Sequence, residues 1–319
     1  MIKKKIFGPT DLCPCHSGWM VVSCCFDPDD RQFRKKVKSI EPPRPISNYS
    51  HPKCYLSNAS DCSEDISHEH YFSASLLRQL GDEGVEVLGL PWLKAGESRR
   101  YSINNLTAKI LCKRHNEALS PLDAEAGIFF RELTASLEKL QRKSSSKKAD
   151  YFLVSGTALE LWALKTACGL YFSKAGAHDG ERLAKTHSID MEKIEGAFFG
   201  VWDDRSGLYF NGRTGSTFML KAGLQFSPLS KGGLLCGARI SLHGIEFDLV
   251  FDTSRANPEQ WKGLTRRPTE LIFERGGRDQ RIILTWPTGT REVSVVFSET
   301  TLDNSQKMAA DNSEFYKLS

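Results

Sequence analysis

Two clusters of sulfur- and nitrogen-bearing side chains in the first 120 residues have the spacing of metal sites. The first is a Cys-Pro-Cys turn followed, after eight residues, by two adjacent cysteines: Cys13, Cys15, Cys24 and Cys25. The second joins more distant pieces of the chain and consists of Cys54, Cys62, Cys112 and His115. Thiolates and imidazoles in such sets hold tetrahedral zinc. We therefore predict two structural zinc ions.

Acidic, amide and imidazole side chains lie between and beside the ligands of the second cluster. They are Glu69, His70, Asn105 and Asn116. Hydrolysis of a phosphodiester needs a base that deprotonates water near neutral pH, and histidine is suited to that role. It also needs a divalent ion, which carboxylate and amide oxygens bind well. These residue types therefore point to metal-dependent cleavage of nucleic acid.

The region from Cys54 to about Asp123 resembles the HNH, or ββα-metal, endonucleases, because these residues follow the order of that family's motif. The resemblance implies that His70 is the general base and that Asn105 orients its ring. It also implies that Glu69 and the amide of Asn116 bind a catalytic Mg²⁺ or Mn²⁺ ion. The second cysteine cluster then corresponds to the zinc knuckles that brace this fold.

Alternatives remain open within this assignment. The interval from His70 to Asn105 is long for the family and contains a predicted hairpin at 85–92, which we interpret as an insertion. If residues 66–70 form a strand, His68 shares a face with His70 and could take over one of the assigned roles. His51 and Asn104 are weaker candidates, typical of ordinary loop residues.

The first cluster resembles the SEC-C zinc-binding motif, which covers about 18 residues here and includes Ser17-Gly18 after the first cysteine pair. The resemblance implies a structural zinc ion held by four thiolates. His16 stands where the family usually has glycine, and the apolar stretch 19–22 replaces the usual lysines. Such a stretch is expected to pack on this protein or on a protein partner rather than on phosphate.

Composition narrows the class of protein. Residues 1–50 contain nine Lys and Arg against five Asp and Glu, an excess equal to the chain's net charge of +4. A basic segment beside a nuclease-like unit favours a polyanionic partner. No apolar run is long enough for a membrane span, and the first residues lack the apolar core of a secretory signal. Seven of the nine cysteines lie in the first 112 residues, in metal-like sets. We expect reduced thiols and a cytoplasmic location.

The pattern along the chain predicts an α+β protein in which zinc modules precede a domain of one helix and an antiparallel sheet. Helices are expected at 123–140 and 157–171. Strands are expected at 197–202, 207–210, 216–226, 234–251 and 271–286, with hairpin turns at His243-Gly244 and Gly276-Gly277. The expected divisions are a SEC-C-like module (1–26), a linker (27–50), an HNH-like unit (51–140), a second linker (141–150), the C-terminal domain (151–300) and a polar tail (301–319).

The C-terminal half has no set of residues that predicts catalysis. Glu160 and Lys165 lie on one predicted helix, but their spacing does not bring them together on its surface. We expect this half to recognise a substrate or partner, or to mediate assembly. The sequence as a whole thus predicts an HNH-type endonuclease acting on DNA rather than RNA. The alternative is a catalytically inactive, zinc-scaffolded nucleic-acid-binding or adaptor protein.

Overall fold

The computed structural model describes residues 7–29, 32–94, 96–142, 150–212, 223–254, 261–287 and 292–298. Most of the predicted linker at 141–150 and the whole predicted tail at 301–319 lie outside the described residues. In the described part the helices are α1 (Ala74–Leu80), α2 (Lys113–Gln141), α3 (Gly156–Phe172), α4 (Leu183–Thr186) and α5 (Met191–Phe198).

The strands in the same ranges vary from two to nine residues. They are β1 (Phe26–Asp27), β2 (Gln32–Phe33), β3 (Ile66–His70), β4 (Val85–Leu88), β5 (Ser98–Tyr101), β6 (Thr107–Cys112), β7 (Asp150–Ser155), β8 (Ala177–His178), β9 (Glu181–Arg182), β10 (Ser188–Ile189), β11 (Gly207–Phe210), β12 (Gln225–Lys231), β13 (Leu234–Leu242), β14 (Ile245–Val250), β15 (Thr265–Arg266), β16 (Glu270–Arg275), β17 (Arg278–Thr285) and β18 (Ser294–Ser298).

Two larger sheets confirm the α+β class. A four-stranded sheet has the order β18-β16-β17-β7, and a six-stranded sheet runs β10-β13-β14-β11-β15 with β12 beside β13. The predicted antiparallel arrangement holds for β16 with β17 and for β11 through β14. It is wrong for β7, β18 and β10, which pair in parallel with their neighbours. These strands reach their partners from distant parts of the chain, so no hairpin turn sets their direction.

Helices α2 and α3 pack side by side and contact both large sheets. Phe129 and Phe130 of α2 lie against Phe247 of β14, and Trp162 of α3 packs edge-on against Phe130. A single cluster of buried apolar residues extends from Cys54 to Phe297. The core is therefore continuous across the division predicted at 141–150.

Local signals in the sequence account for several elements. The turns at His243-Gly244 and Gly276-Gly277 have positive φ angles, as hairpin turns require, and both hairpins are present. The strand predicted at 197–202 is wrong, because helix α5 extends to Phe198. Asp190 caps that helix by accepting hydrogen bonds from the amides of Glu192 and Lys193.

The segment predicted as a linker at 27–50 lies partly against the core. Val37 and Ile40 pack on the main apolar cluster, and the Lys35 amide donates a hydrogen bond to the Thr285 hydroxyl. The ammonium of Lys35 forms an ion pair with the buried carboxylate of Glu125 at 2.8 Å. This segment therefore ties the N-terminal cysteine module to α2 and β17.

Candidate functional site

The second cysteine cluster closes into a buried tetrad. His115 Nδ1 lies 3.5 Å from Cys54 Sγ, 3.7 Å from Cys62 Sγ and 3.2 Å from Cys112 Sγ. The four ligand atoms all lie within 4.8 Å of one another. Ligands of tetrahedral zinc lie about 3.3–3.8 Å apart, given bonds of about 2.0–2.3 Å. The cluster could hold a metal ion, and its donor set fits zinc.

The fold brings these ligands together at the start of α2. Cys54 and Cys62 precede β3, whereas Cys112 ends β6 and His115 lies in the first turn of the helix. The Cys112 thiol caps α2 by accepting a hydrogen bond from the His115 amide at 3.4 Å. Hydrogen bonding to the Cys54 thiol, and then to His115, lowers the pKa of Cys112 against the effect of burial. Cys112 is therefore ready to bind a metal ion as a thiolate.

The first cysteine cluster also converges. Cys24 Sγ lies 3.4 Å from Cys15 Sγ and 3.5 Å from Cys25 Sγ, and Cys13 completes a set within 4.8 Å. His16 and Gly18 have φ angles of 60° and 83°, so both adopt the left-handed conformation that reverses the chain after the first pair. This cluster too could hold a metal ion.

The N-terminal module is attached to the edge of the four-stranded sheet. The Leu153 amide in β7 donates a hydrogen bond to the Pro14 carbonyl, and Leu153 packs against the buried cysteines of the module. Of the apolar stretch 19–22, Val21 is buried but Trp19 remains 66% exposed. Most of that stretch is therefore on the surface, where a partner could reach it.

Strands β3 and β6 followed by α2 have the order of a ββα unit. The strands are antiparallel, with Ile66 opposite Cys112 and His70 opposite Thr107. The start of α2 thus lies near Ile66, while His70 lies about 13 Å further along the strand at the usual rise per residue. A hairpin is present in this interval, but it pairs β4 with β5 and extends to Tyr101, so the predicted bounds of 85–92 cover only its first strand and part of the connection.

The four predicted site residues have different surroundings in the structure. The Glu69 carboxylate is buried and lies 2.7 Å from the Lys165 ammonium. Asn105 is exposed at the end of a short 3-10 turn, and Asn116 lies in the first turn of α2 beside the cysteine tetrad. Within the described chain no hydrogen bond joins His70 to any of the other three. Glu69 is therefore engaged with an internal cation rather than facing an open site.

A different carboxylate, that of Asp123, shares the surroundings of His70. Asp123 accepts a hydrogen bond from the Ser73 hydroxyl at 2.5 Å and another from the Lys165 ammonium. Ser73 in turn accepts a hydrogen bond from the Trp162 indole at 2.6 Å. The Asp123 side chain is 28% exposed, so it reaches solvent while two buried groups hold it.

The His70 residue is partly buried in this environment. Its Nε2 atom is buried and has no hydrogen-bond partner. Burial lowers the pKa of His70 below its ordinary value, and the charges of Arg78 and Lys165 act in the same direction, while Asp123 opposes them. The imidazole is therefore neutral near pH 7 and able to accept a proton.

Burial also acts on the pKa values of Glu69 and Lys165, and in each case the neighbouring charges oppose its effect. Burial raises the pKa of Glu69 above its usual range, although Lys165 opposes that effect. Burial also disfavours the charged form of Lys165, but Asp123 and Glu69 outweigh it and raise the pKa of Lys165. Lys165 thus remains an ammonium ion inside the protein.

The weaker histidine and asparagine candidates lie outside this network. His68 is exposed, at an irregularity in the pairing of β3 with β6. His51 accepts a hydrogen bond from the Lys53 amide, and Asn104 is exposed in the 3-10 turn before β6. Among the residues that the structure describes, none forms a hydrogen bond or ion pair with the His68 ring.

The sequence analysis missed Asp123, Lys165 and Ser73. Asp123 follows Asn116 by seven residues, or two helical turns, and that spacing was a usable sign that it lies on the same face of α2. A second sign was a charged Lys165 within the apolar helix α3. A buried lysine needs a carboxylate partner, but the sequence does not indicate on which element the partner lies.

Comparison with protein-family models, curated proteins and solved structures finds no match for this chain. The described helices include none that is long and apolar enough to cross a membrane.

Proposed function

We propose that this protein is a metal-dependent phosphodiesterase of the HNH type that cleaves nucleic acid, with its reactive centre at His70 and Asp123. The observation that carries the proposal is the buried, unpartnered Nε2 of His70 beside the partly exposed Asp123 carboxylate. The ββα order of β3, β6 and α2 supports it, as does a cysteine tetrad that fits structural zinc. The proposed substrate is DNA, and the proposed metal of both cysteine clusters is zinc.

The residues present fit a catalytic divalent ion only in part. Asp123 offers a hard oxygen ligand at the surface, as Mg²⁺ and Mn²⁺ require. Glu69 does not fit, because its carboxylate is buried as well as paired with the Lys165 ammonium, which Asp123 shares. Asn116 lies two turns of α2 away, next to the tetrad. An ion held by Asp123 would offset charge on the phosphate that is cleaved.

The chain's own contribution to such a reaction centres on proton transfer. The neutral His70 ring can accept a proton from water through Nε2, and its lowered pKa keeps it unprotonated at neutral pH. Tyr71 and Phe72, the residues after His70, pack against a buried apolar cluster beside the β4–β5 hairpin. Asp123 stays close enough to stabilise the protonated ring after the transfer.

The proposal is tested with purified full-length protein, plasmid DNA and structured RNA in Mg²⁺ or Mn²⁺. We expect cleavage by the wild type and a loss of about 10²–10⁴-fold in His70→Ala, the usual contribution of a general base. Asp123→Asn should also lose cleavage. His68→Ala is the matched control, because His68 is exposed on the same strand. Equal rates for wild type and His70→Ala would refute the assignment.

A second candidate function is a zinc-scaffolded adaptor or nucleic-acid-binding protein without catalysis. Two observations favour it: Glu69 is neutralised by Lys165, and the N-terminal module exposes apolar side chains. The exposed set consists of Leu12, Trp19, Met20 and Val22. Under this alternative the wild type binds nucleic acid or a protein but leaves both substrates uncut in either metal.

A further inference from the structure

A cavity of about 470 Å³ lies beside the first turns of α3. Its walls come from α2, α3, the end of α5, the segment at 34–42 and Trp286 after β17. Protein interiors are close-packed and contain few openings larger than a water molecule. The volume of this cavity instead lies within the usual range of small-molecule sites, about 300–1,000 Å³. The cavity is therefore large enough for an organic ligand.

Most of the lining is apolar and comes from separate elements of the fold. Leu122 of α2, Leu161 of α3 and Phe198 of α5 all line the cavity and are all buried. Phe199 also lines it but is 61% exposed, which places this aromatic ring where the cavity meets the surface. Apolar walls with a few polar groups are typical of sites for small organic molecules.

Two hydroxyl groups form a polar end at the N-terminus of α3. Ser155 and Thr157 both line the cavity, and Ser155 is only 4% exposed. The Ser155 hydroxyl accepts a hydrogen bond from the Ala158 amide at 3.2 Å, but no described residue accepts its own proton. The Thr157 hydroxyl forms no hydrogen bond within the described ranges. Since a helix N-terminus also carries partial positive charge, this end favours an oxygen acceptor.

The charges around the cavity do not favour an anionic ligand. Arg34 and Lys35 line the cavity, but each already forms an ion pair with a carboxylate, at 3.6 Å and 2.8 Å. Lys38 and Glu41 are both exposed lining residues, and their opposite charges offset each other. A carboxylate at the buried end would lose its hydration without gaining a free cation. A carbonyl oxygen needs only the hydroxyl donors.

The wall formed by residues 34–42 is anchored on both sides. The Lys35 amide donates a hydrogen bond to the Thr285 hydroxyl at 3.2 Å, and the Arg114 guanidinium donates one to the Pro45 carbonyl at 2.8 Å. Between these anchors, apolar side chains of the segment pack on the main core. The cavity is therefore formed before a ligand arrives, which lowers the entropic cost of binding.

We propose that this cavity binds an uncharged, mainly apolar small molecule whose carbonyl oxygen accepts hydrogen bonds from the Ser155 and Thr157 hydroxyls. The apolar body of the ligand lies against the side chains of α2, α3 and α5. This site goes beyond the proposed cleavage of nucleic acid and does not depend on it.

The test compares two probes of nearly equal size and shape by isothermal titration calorimetry on the full-length protein. The first probe, 5-phenylpentan-2-one, is an uncharged ketone, and the second, 4-phenylbutanoate, carries a carboxylate in its place. We expect the ketone to bind with a Kd of about 1 mM or lower, as is usual for a ligand of this size. The carboxylate should bind at least about tenfold more weakly, because its charge must be desolvated.

Bulky substitutions locate the binding site. Leu161→Trp fills the cavity, and Ala59→Phe narrows it at a partly buried residue of the lining, with less disturbance of the core. Each should weaken binding of the ketone at least about tenfold, because the ligand then competes with a side chain for space. Leu88→Trp is the matched control, because Leu88 is 62% exposed and does not line the cavity.

Thr157→Val tests the polar end, since valine keeps the shape of threonine and removes the hydroxyl. The loss of one hydrogen bond should weaken binding of the ketone about 3–10-fold. Thr166→Val is the control, because Thr166 lies on the same helix outside the lining. Thermal unfolding is measured for every variant, and Ala59→Phe decides the location if Leu161→Trp does not fold.

The outcomes decide the proposal without any measurement of cleavage. Binding of the ketone that Ala59→Phe and Thr157→Val weaken, and that both controls preserve, supports the site. Absence of ketone binding overturns it, as does binding that Ala59→Phe leaves unchanged. Equal or tighter binding of 4-phenylbutanoate overturns the assignment of an uncharged ligand. Because no nucleic acid is present, these results are distinguishable from failure of the proposed phosphodiesterase.

Discussion

The Leu153 amide donates a hydrogen bond to the Pro14 carbonyl at 2.9 Å, which joins the N-terminal cysteine module to the edge of the four-stranded sheet. Leu153 belongs to β7, whose other edge pairs with β17. An edge strand exposes unpaired backbone groups unless another segment covers it. The module therefore covers this edge of the sheet, in addition to holding four cysteines that could bind a metal ion.

The hydrogen bond between Leu153 and Pro14 predicts how β7 responds when cysteines of the module are replaced. A Cys24→Ser, Cys25→Ser variant should lose the first metal, because a module with so little core depends on its ion for folding. Hydrogen exchange at the Leu153 amide should then accelerate by at least about tenfold, since the protecting carbonyl becomes mobile. The amides of Phe152 and Val154 point toward β17 and serve as internal controls. Unchanged protection at Leu153 would show that the module docks without metal.

The two cysteine clusters allow a prediction of the zinc content of the purified protein. Protein purified without chelator should contain about two equivalents of zinc, because both clusters bring four donors of the types that bind zinc within 4.8 Å of one another. Cys112→Ser should reduce this to about one equivalent and destabilise α2, because Cys112 is both a ligand and the cap of the helix. Cys168→Ser is the control, since Cys168 is buried outside either cluster. Elemental analysis near zero for the wild type would contradict the prediction.

The pH dependence of cleavage follows from His70. A base must be neutral to act, and the folded-state pKa of His70 lies below its ordinary value of 6.5. Cleavage activity is therefore fully present above pH 6.5. It is lost as the pH falls through the lower pKa that His70 has in the folded protein. We expect the acidic limb of kcat/KM to have its midpoint below 6.5, measured on plasmid substrate at constant ionic strength. A midpoint above 6.5 would mean that another group limits the rate.

The Lys35–Glu125 pair predicts that the segment at 32–42 contributes to stability. Lys35→Met would leave the Glu125 carboxylate, 6% exposed, without its cation, and we expect a loss of about 3 kcal/mol in the free energy of unfolding. Lys36→Met is the control, because Lys36 is exposed and should change stability by less than about 0.5 kcal/mol. Urea unfolding monitored by tryptophan fluorescence measures both. Equal free energies of unfolding for the wild type and Lys35→Met would mean that the segment at 32–42 detaches readily.

Local signals made the cysteine clusters and the hairpins predictable from the sequence. Ligands such as Cys112 and His115 are close together in the chain, and turns such as Gly276-Gly277 need a conformation that few residues adopt. Helix α3 was predictable from its continuous apolar run. These features depend on neighbouring residues, so pattern alone identifies them.

The composition of the candidate site was less predictable, because it depends on tertiary contacts. Glu69 matches a motif, but its carboxylate binds Lys165, which lies 96 residues later in the chain. Asn116 follows Cys112 by four residues, as the expected motif has it, yet the register of β3 with β6 places His70 opposite Thr107, five residues before Cys112. Neither the partner of a buried charge nor the register of two distant strands can be read from local sequence.

The order in which the four-stranded sheet receives its strands matters during synthesis on the ribosome. Strand β7 ends at Ser155, but its partner β17 is complete only at Thr285, 130 residues later. At about 5–20 residues per second, β7 waits roughly 6–26 s for that partner. Throughout this delay its apolar residues Phe152, Leu153 and Val154 are available to other nascent chains. The cysteine module is synthesised first and can cover one edge during that interval, so the supply of metal should influence how much newly made protein escapes aggregation.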